Sequence, residues 1–399
     1  MKQFKASVFI ALIAFNAIVF YSCKKQDGLP INKPIADFSF TVENEIKSVS
    51  KVIFTNTSKY ANKYLWMFGD GDTSSVPNPE HIYLRTGVYY VKLIVSNAYG
   101  IDSITKLVDL TVAPYSQVYT AFNGNVLNLF AWEGNKVMIL SRKSDLNRIV
   151  MYKWLKAMDT TYGYYKSCTG RDPATLPQTY INNRTTIADV PATCGAGCAY
   201  LGFTGIEMQN TYFDIMYNAI NNNDEYDQVA FYEFGRNFWF YGNKLAYKAN
   251  DPVTTGYAVF MRFMAMNAAG VKGAPFGSLS FSEFQNRVIE LIDLYLNNPS
   301  LNWNNTLGAN QGVPGAFGGA TDLFASFCFR LKRDYGGETF VKNVWKQAEL
   351  RPDANSTQDA VDNFFLASCA AANKNLTVLF QSWRWPLSAK AISDALQYP

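Results

Sequence analysis

The chain has 399 residues, of which 48% are hydrophobic, 16% aromatic and 17% charged, and its formal net charge is +4. This length is sufficient for two domains with sizeable cores. A net charge so close to zero lacks the strongly basic surface that nucleic-acid binding needs, so we expect no nucleic-acid partner.

The first 22 residues have the pattern of a secretion signal. Lys2 and Lys5 precede an apolar stretch over 6–20 that is too short for a stable membrane span. Ser22-Cys23 follows, and lipoprotein processing uses a small residue before a cysteine. We predict a lipoprotein signal peptide over 1–22, acylation of Cys23 and a tether over 23–33. The alternative is a plain secreted protein.

Residues 34–113 contain short strand patterns separated by turn residues, which is typical of a small all-β sandwich. The segments 64–74, Asn78-Pro-Glu-His-Ile-Tyr83 and 87–100 resemble the motifs of the PKD domain, an immunoglobulin-like sandwich. The resemblance implies a spacer or weak binding module, and a structural role for His81, the single histidine. Asp70 and Asp72 are interpreted as turn residues that bond their own backbone.

The pattern of the sequence changes after residue 113. It predicts an α+β, mostly helical second domain over 114–399, and hence a multidomain chain. Two short strands are predicted over 126–140, and an irregular loop rich in Gly and Asn covers 302–319. Apolar spacing predicts helices over 145–164, 204–220, 229–247, 256–269, 281–296, 322–334, 339–347 and 356–372.

The cysteines other than Cys23 divide into two groups. Cys168, Cys194 and Cys198 are close in sequence, and a disulfide among them is predicted for a chain outside the cytoplasm, with its connectivity left open. Cys328 and Cys369 lie in apolar helical stretches and are predicted to be buried.

One segment bears on catalysis. Residues 227–239, Asp-Gln-Val-Ala-Phe-Tyr-Glu-Phe-Gly-Arg-Asn-Phe-Trp, resemble the zinc helix of gluzincin metallopeptidases, especially the enhancin or mucin-directed group and the plant basic secretory proteins. Looser resemblances at 159–170, 256–262 and 375–387 extend the likeness over about 120–390. The resemblance implies a gluzincin-like fold, with Glu233 at the place of the general base.

The departures from that family argue against its chemistry. Tyr232 and Arg236 stand where the resemblance requires two histidine ligands, and Thr255 stands at the place of the downstream acid. We therefore predict no bound metal and no other cofactor. Because Arg236 is three residues after Glu233, we predict that the two form a buried ion pair in place of the metal.

These observations predict a lipoprotein of the bacterial cell envelope, anchored in the outer membrane and facing the exterior. Its gluzincin-like domain would bind an extracellular glycan, glycoprotein or polypeptide without cleaving it. The aromatic candidates for that binding surface are Tyr162, Tyr164, Tyr165, Trp383 and Trp385.

Two alternatives remain open from the sequence. One is an active hydrolase, a peptidase or glycan-directed enzyme, that uses non-standard residues around Glu233 and Tyr232. A glycosidase-type carboxylate pair could come from Asp322, Glu283 and Asp353, although each is better explained as a helix cap or a solvated charge. The other alternative is a structural or assembly lipoprotein whose partner is another envelope protein.

Overall fold

The computed structural model describes residues 32–46, 49–111, 113–247 and 251–399. The predicted signal peptide, Cys23 and most of the predicted tether lie outside these residues. The chain divides into two compact units, Met1–Val108 and Asp109–Pro399. No helix in the described ranges has both the length and the apolar character that a membrane crossing requires.

Unit 1 is a β-sandwich. One sheet has the strand order β1-β2-β5, and the other has the order β4-β3-β6-β7. The strands are β1 (Phe38–Ile46), β2 (Val49–Asn56), β3 (Lys63–Met67), β4 (Thr73–Ser74), β5 (Glu80–Tyr83), β6 (Val88–Asn97) and β7 (Gly100–Asp109). Trp66 is fully buried between the sheets, with its ring centroid 5.0 Å from that of Phe38 and 5.3 Å from that of Phe54.

Unit 2 begins with a mixed sheet of seven strands among the described residues. The order is β13-β14-β12-β10-β9-β8, with β11 paired to β12. The strands are β8 (Tyr115–Thr120), β9 (Val126–Glu133), β10 (Val137–Ser141), β11 (Tyr180–Ile181), β12 (Arg184–Val190), β13 (Gly197–Ala199) and β14 (Ile206–Gln209). Strands β10, β12 and β14 are parallel, and β13 pairs antiparallel with β14 at one edge. A separate pair joins β15 (Glu225–Tyr226) to β16 (Lys272–Gly273).

Helices make up most of the rest of unit 2. They are α1 (Arg148–Thr169), α2 (Asn210–Asn223), α3 (Val229–Asn237), α4 (Pro252–Ala269), α5 (Phe281–Ile289), α6 (Leu291–Asn297), α7 (Ala320–Asp334), α8 (Gly337–Glu349), α9 (Thr357–Ala372), α10 (Thr377–Ser382) and α11 (Ala389–Asp394). Short 3₁₀ turns occur at Leu307–Ala309 and Ala395–Gln397. The predicted multidomain fold, all-β and then mostly helical, is confirmed.

The main core of unit 2 lies between the sheet and the helices. Alternate residues of β10 face opposite sides of the sheet, so that Val137 and Ile139 join the helical core. Met138 and Leu140 join a smaller cluster on the other face. Because both faces are covered, every residue of β10 is buried.

The cysteines of unit 2 divide between one disulfide and three free thiols. Cys194 and Cys198 are bonded to each other, which settles the pairing that the sequence left open. Cys168, Cys328 and Cys369 are free and buried. Burial raises the pKa of the Cys168 thiol to about 11, and it raises the pKa of the Cys369 thiol to about the same value.

Candidate functional site

Helix α3 carries the segment that resembles a zinc helix, and it is held in the middle of unit 2. The Asp227 carboxylate accepts a hydrogen bond of 2.8 Å from the Val229 backbone N–H, which satisfies one free donor at the helix start. Ala230, Phe231 and Phe234 are buried in the main core. The helix therefore has one apolar side against the core and one side that carries polar groups.

A close approach between α3 and α4 fixes the helix position. A Cβ atom placed on Gly235 would lie 2.8 Å from the Cβ of Ala258 and 3.1 Å from the hydroxyl oxygen of Tyr165. No real side chain tolerates such distances, so glycine is what allows the two helices to pack so closely.

Glu233 is only 5% exposed and is incompletely partnered. Its Oε2 atom accepts no hydrogen bond. The nearest cation is Arg236, whose Nε lies 3.8 Å from that oxygen. The same Nε donates instead to the backbone oxygen of Ala199, at 3.3 Å. The predicted pair is therefore present as a loose ion pair, without the hydrogen bond that would offset the burial of the carboxylate.

Burial dominates the titration of Glu233. Loss of hydration raises its pKa from 4.5 to about 7, and the positive charge of Arg236 offsets only part of this effect. At neutral pH the side chain is thus divided between its protonated and ionised forms. A carboxyl group with such a pKa can act as a proton donor or acceptor if a substrate reaches it.

Strand β13 lies against Glu233 at the edge of the sheet. A Cβ atom on Gly197 would lie 3.1 Å from the Cγ of Glu233. The disulfide between Cys194 and Cys198 closes a short loop around the start of this strand. The backbone of β13 is therefore held directly over the carboxyl group.

An exposed apolar turn follows β13. Tyr200 is 45% exposed and Phe203 is 41% exposed, and Leu201 between them is also exposed. The Gly202 N–H donates a 3.0 Å hydrogen bond to the Arg236 backbone oxygen, which attaches the turn to the end of α3. The sequence reasoning missed this turn, although the run Tyr-Leu-Gly-Phe directly after a cysteine pair is a visible signal.

A second buried charge lies behind α3. Arg262 of α4 is buried, and its Nη1 donates a 2.5 Å hydrogen bond to the Gln228 side chain, while its Nε has no partner. Its guanidinium carbon lies 5.9 Å from the ring centroid of Tyr232, which is half-buried. Burial lowers the pKa of Arg262 to about 10, so the group is cationic at neutral pH.

These residues do not fit a zinc ion. Tyr232 offers a phenol and Arg236 a guanidinium, and neither is a ligand that zinc takes in proteins. The Arg236 cation is already 3.8 Å from the one carboxylate. Within the described residues, the one group of three His, Cys, Asp or Glu side chains close enough to share an ion is Asp70, Asp72 and His81, in unit 1.

His81 has a packing role in unit 1. Its ring stacks on Phe68 at a centroid distance of 4.1 Å, and its Nε2 lies 2.6 Å from an Asp70 carboxylate oxygen. Asp70 also accepts a hydrogen bond from the Asp72 N–H at 3.1 Å, as expected for a turn.

The structure corrects the predicted aromatic binding surface. All five rings belong to the main core. Each of the three tyrosine hydroxyls donates a hydrogen bond inside the protein. Tyr162 donates to Asp172, Tyr164 to Glu338 and Tyr165 to the Phe231 backbone oxygen. Since the five rings are buried in this core, they stabilise the fold and are not available to a ligand. The residues are Tyr162, Tyr164, Tyr165, Trp383 and Trp385.

The three carboxylates considered for glycoside hydrolysis have structural partners. Glu283 forms a capping box with Ser280, and Asp322 accepts a hydrogen bond from the Gly319 N–H. Asp353 pairs with Lys244 at 3.3 Å. Each therefore acts as a helix cap or a surface charge, as the sequence indicated.

Comparison with known proteins identifies the first unit. Residues 32–112 match the family model for the PKD domain. Unit 1 is a PKD domain. Collagenase ColQ1 from Bacillus cereus (strain Q1) is 37% identical over 92 residues, which are 22% of this chain and 9% of the collagenase. The PKD1 domain from the Vibrio cholerae metalloprotease PrtV is 33% identical and covers 19% of this chain and 95% of that domain, with a TM-score of 0.18.

A metallopeptidase structure is similar to this chain over most of its length. The ZmpB metallopeptidase from Clostridium perfringens is 12% identical, and the alignment covers 92% of this chain and 74% of that one, with a TM-score of 0.44.

Proposed function

We propose that this chain is a cell-envelope lipoprotein whose second unit binds extracellular glycan or polypeptide without metal-dependent cleavage. Acylation of Cys23 would anchor it in the outer membrane, facing the exterior. The observation that carries the proposal is the exposed apolar turn Tyr200–Phe203, which Gly202 attaches to the end of α3 by a hydrogen bond to the Arg236 backbone oxygen.

The turn has the chemistry of a binding surface. Exposed aromatic rings stack on sugar rings and on apolar peptide side chains, and contiguous apolar patches on a protein surface mark interaction sites. The exposed residues of the turn, Tyr200, Leu201 and Phe203, form the candidate surface.

The missing ligands favour binding over cleavage. A metallopeptidase needs a metal-activated water for its glutamate to act as a base. Tyr232 and Arg236 cannot supply the two imidazoles, and the Arg236 charge repels a cation from this position.

A binding assay with matched variants tests the proposal. We expect the full chain to bind immobilised mucin or casein, and the variant Tyr200→Ala/Phe203→Ala to lose about tenfold in affinity, as is typical of aromatic interface anchors. Tyr99→Ala, which removes an exposed ring from unit 1, should leave binding unchanged. Equal binding by all three proteins would refute the site, and no binding to any glycan or glycoprotein on a broad array would refute the function.

The active-hydrolase alternative has its own readout in the same samples. Fragments of mucin or casein that appear with the wild type and not with Glu233→Gln would establish it. A stoichiometric envelope protein that co-purifies with the chain, without glycoprotein binding, would favour an assembly role.

A further inference from the structure

A cavity of about 510 Å³ lies among the helices of unit 2, and its lining includes no residue of α3 or β13. Its walls come from the last turns of α4, from α5, from the start of α6 and from the last turns of α7, with Gly337 at the start of α8. The volume is in the range of cavities that hold a small molecule.

The floor of this cavity is apolar. Phe263, Met264, Ile292 and Phe329 are buried residues that line it, and Phe281 and Ile289 complete it with half-buried side chains. Methionine and phenylalanine side chains adapt to an irregular apolar ligand. The floor therefore suits an alkyl chain or a ring system and offers nothing to a strongly polar molecule.

The mouth of the cavity is positively charged. The lining includes Arg330, Lys332 and Arg333 but only one acid, Asp293. The side chain of Arg330 is 17% exposed and that of Lys332 is 24% exposed, so both charges are held at the entrance and not in open solvent.

Each of the three cations already has an acidic neighbour. Arg330 pairs with Asp293. Lys332 Nζ lies 3.1 Å from Glu338, and Arg333 Nε lies 2.6 Å from Asp334. Glu338 and Asp334 do not line the cavity. Because the Arg333–Asp334 pair is on the surface, where such pairs contribute about 1 kcal/mol or less, an anion inside the mouth can compete for Arg333, while half-buried Glu338 holds Lys332 more firmly.

The start of α8 also brings partial positive charge to the cavity, of which Glu338 in its first turn offsets a part. Gly336, which precedes this helix of 13 residues, offers no side chain to cap it. Gly337 itself lines the cavity. Free backbone N–H groups at a helix start carry partial positive charge.

We propose that this cavity binds an amphipathic anion, with its apolar body on the floor and its carboxylate or similar anionic head against Lys332 and Arg333. This site is separate from the surface at Tyr200–Phe203, and neither proposal depends on the other. The combination of an apolar floor with an excess of cations at the mouth distinguishes this ligand class from neutral or cationic amphiphiles.

Titration calorimetry on the full chain with three ligands of equal chain length tests the ligand class. We expect decanoate to bind about tenfold more tightly than decanol, which corresponds to about 1.4 kcal/mol, and decyltrimethylammonium to bind no better than decanol. Equal affinity for all three ligands, or no saturable binding of decanoate, would overturn the proposal.

Two variants with different physical effects locate the site. Lys332→Gln/Arg333→Gln should reduce decanoate affinity to the level of decanol and leave decanol binding unchanged. Ile289→Trp, which fills the floor, should abolish binding of both. Lys390→Gln removes a charge from an exposed pair with Asp394 outside the cavity and should change nothing.

The variant Lys332→Gln/Arg333→Gln still tests the site if Ile289→Trp fails to fold. Its two side chains lie at the mouth and not in the core, so its melting temperature should match that of the wild type. Decanoate binding that is unchanged in this folded variant would place the ligand elsewhere and refute the site.

Discussion

The sequence predicted only part of the surroundings of Glu233. Its position three residues before Arg236 predicts a contact between the two charges, and the contact exists at 3.8 Å. Sequence spacing could not reveal that Arg236 donates its Nε hydrogen bond to Ala199, because that oxygen belongs to a strand distant in the chain. The carboxylate is therefore less well compensated than the spacing suggests.

Because the buried Glu233 carboxylate is poorly compensated, the stability of the fold should depend on pH. The pKa of Glu233 is about 7 in the folded chain against 4.5 as its ordinary value. The folded state therefore holds a proton that the unfolded state has lost, and the free energy of unfolding falls as pH rises from 4.5 to 7. Relative to Glu233→Gln, the wild type should lose about 3 kcal/mol over this interval.

Urea unfolding of both proteins at pH 4.5 and pH 8 measures the effect. The difference between Glu233→Gln and the wild type removes the contributions of other carboxyl groups, which the two proteins share. Glu290→Gln, at an exposed position, should follow the wild type at both pH values. A constant difference between Glu233→Gln and the wild type would contradict the raised pKa.

At the scale of elements, hydrophobic spacing located most helices of unit 2, and its largest errors were at two boundaries. The helix predicted over 229–247 ends at Asn237, because the Asn237 side chain donates to the backbone oxygens of Tyr200 and Gly205. The helix predicted over 204–220 begins at Asn210, because residues 206–209 pair with β12. Both boundaries depend on segments remote in sequence, which local periodicity does not detect.

The close packing of α3 on α4 gives a prediction at this scale. Gly235→Ala should destabilise unit 2 by about 1–3 kcal/mol, because its methyl group would overlap Ala258. Gly163→Ala is the matched control. Gly163 lies in helix α1 with no atom within 4 Å of a Cβ atom, so alanine there should stabilise by about 0.4–1 kcal/mol.

Denaturant unfolding of the two variants measures both values. The opposite signs separate the loss of interhelical space from the general effect of glycine replacement in a helix. If Gly235→Ala were as stable as Gly163→Ala, the spacing of α3 and α4 would be adjustable, and the position of Glu233 would not be fixed.

For the whole molecule, the sequence predicted the division into an all-β and a mostly helical part better than it predicted the surface. The PKD motifs are local and specific, so unit 1 could be recognised from its residues. Helices that are apolar all round, in contrast, do not show which rings face outward. Tyr162 and Trp383 were expected at a binding surface because the chain is rich in aromatic residues, and both are buried.

The side chains around Glu233 also give a prediction for the metal content of the whole chain. We expect purified full-length protein to contain no stoichiometric zinc and to melt at the same temperature with and without chelator, because a phenol and a guanidinium, those of Tyr232 and Arg236, flank Glu233 where a zinc site would need imidazoles. Elemental mass spectrometry and a thermal melt measure the two quantities. One zinc per chain, or a melting temperature lowered by chelator, would contradict this prediction.

The three buried free thiols give the chain a built-in reporter of its own unfolding. Cys168, Cys328 and Cys369 are enclosed in the core of unit 2, and burial raises the pKa of each thiol. The thiolate is the form that reacts with alkylating reagents, so these cysteines stay unlabelled while the fold is intact. Peptide mapping after pulses of iodoacetamide would therefore time the opening of α1, α7 and α9 separately, without any engineered probe.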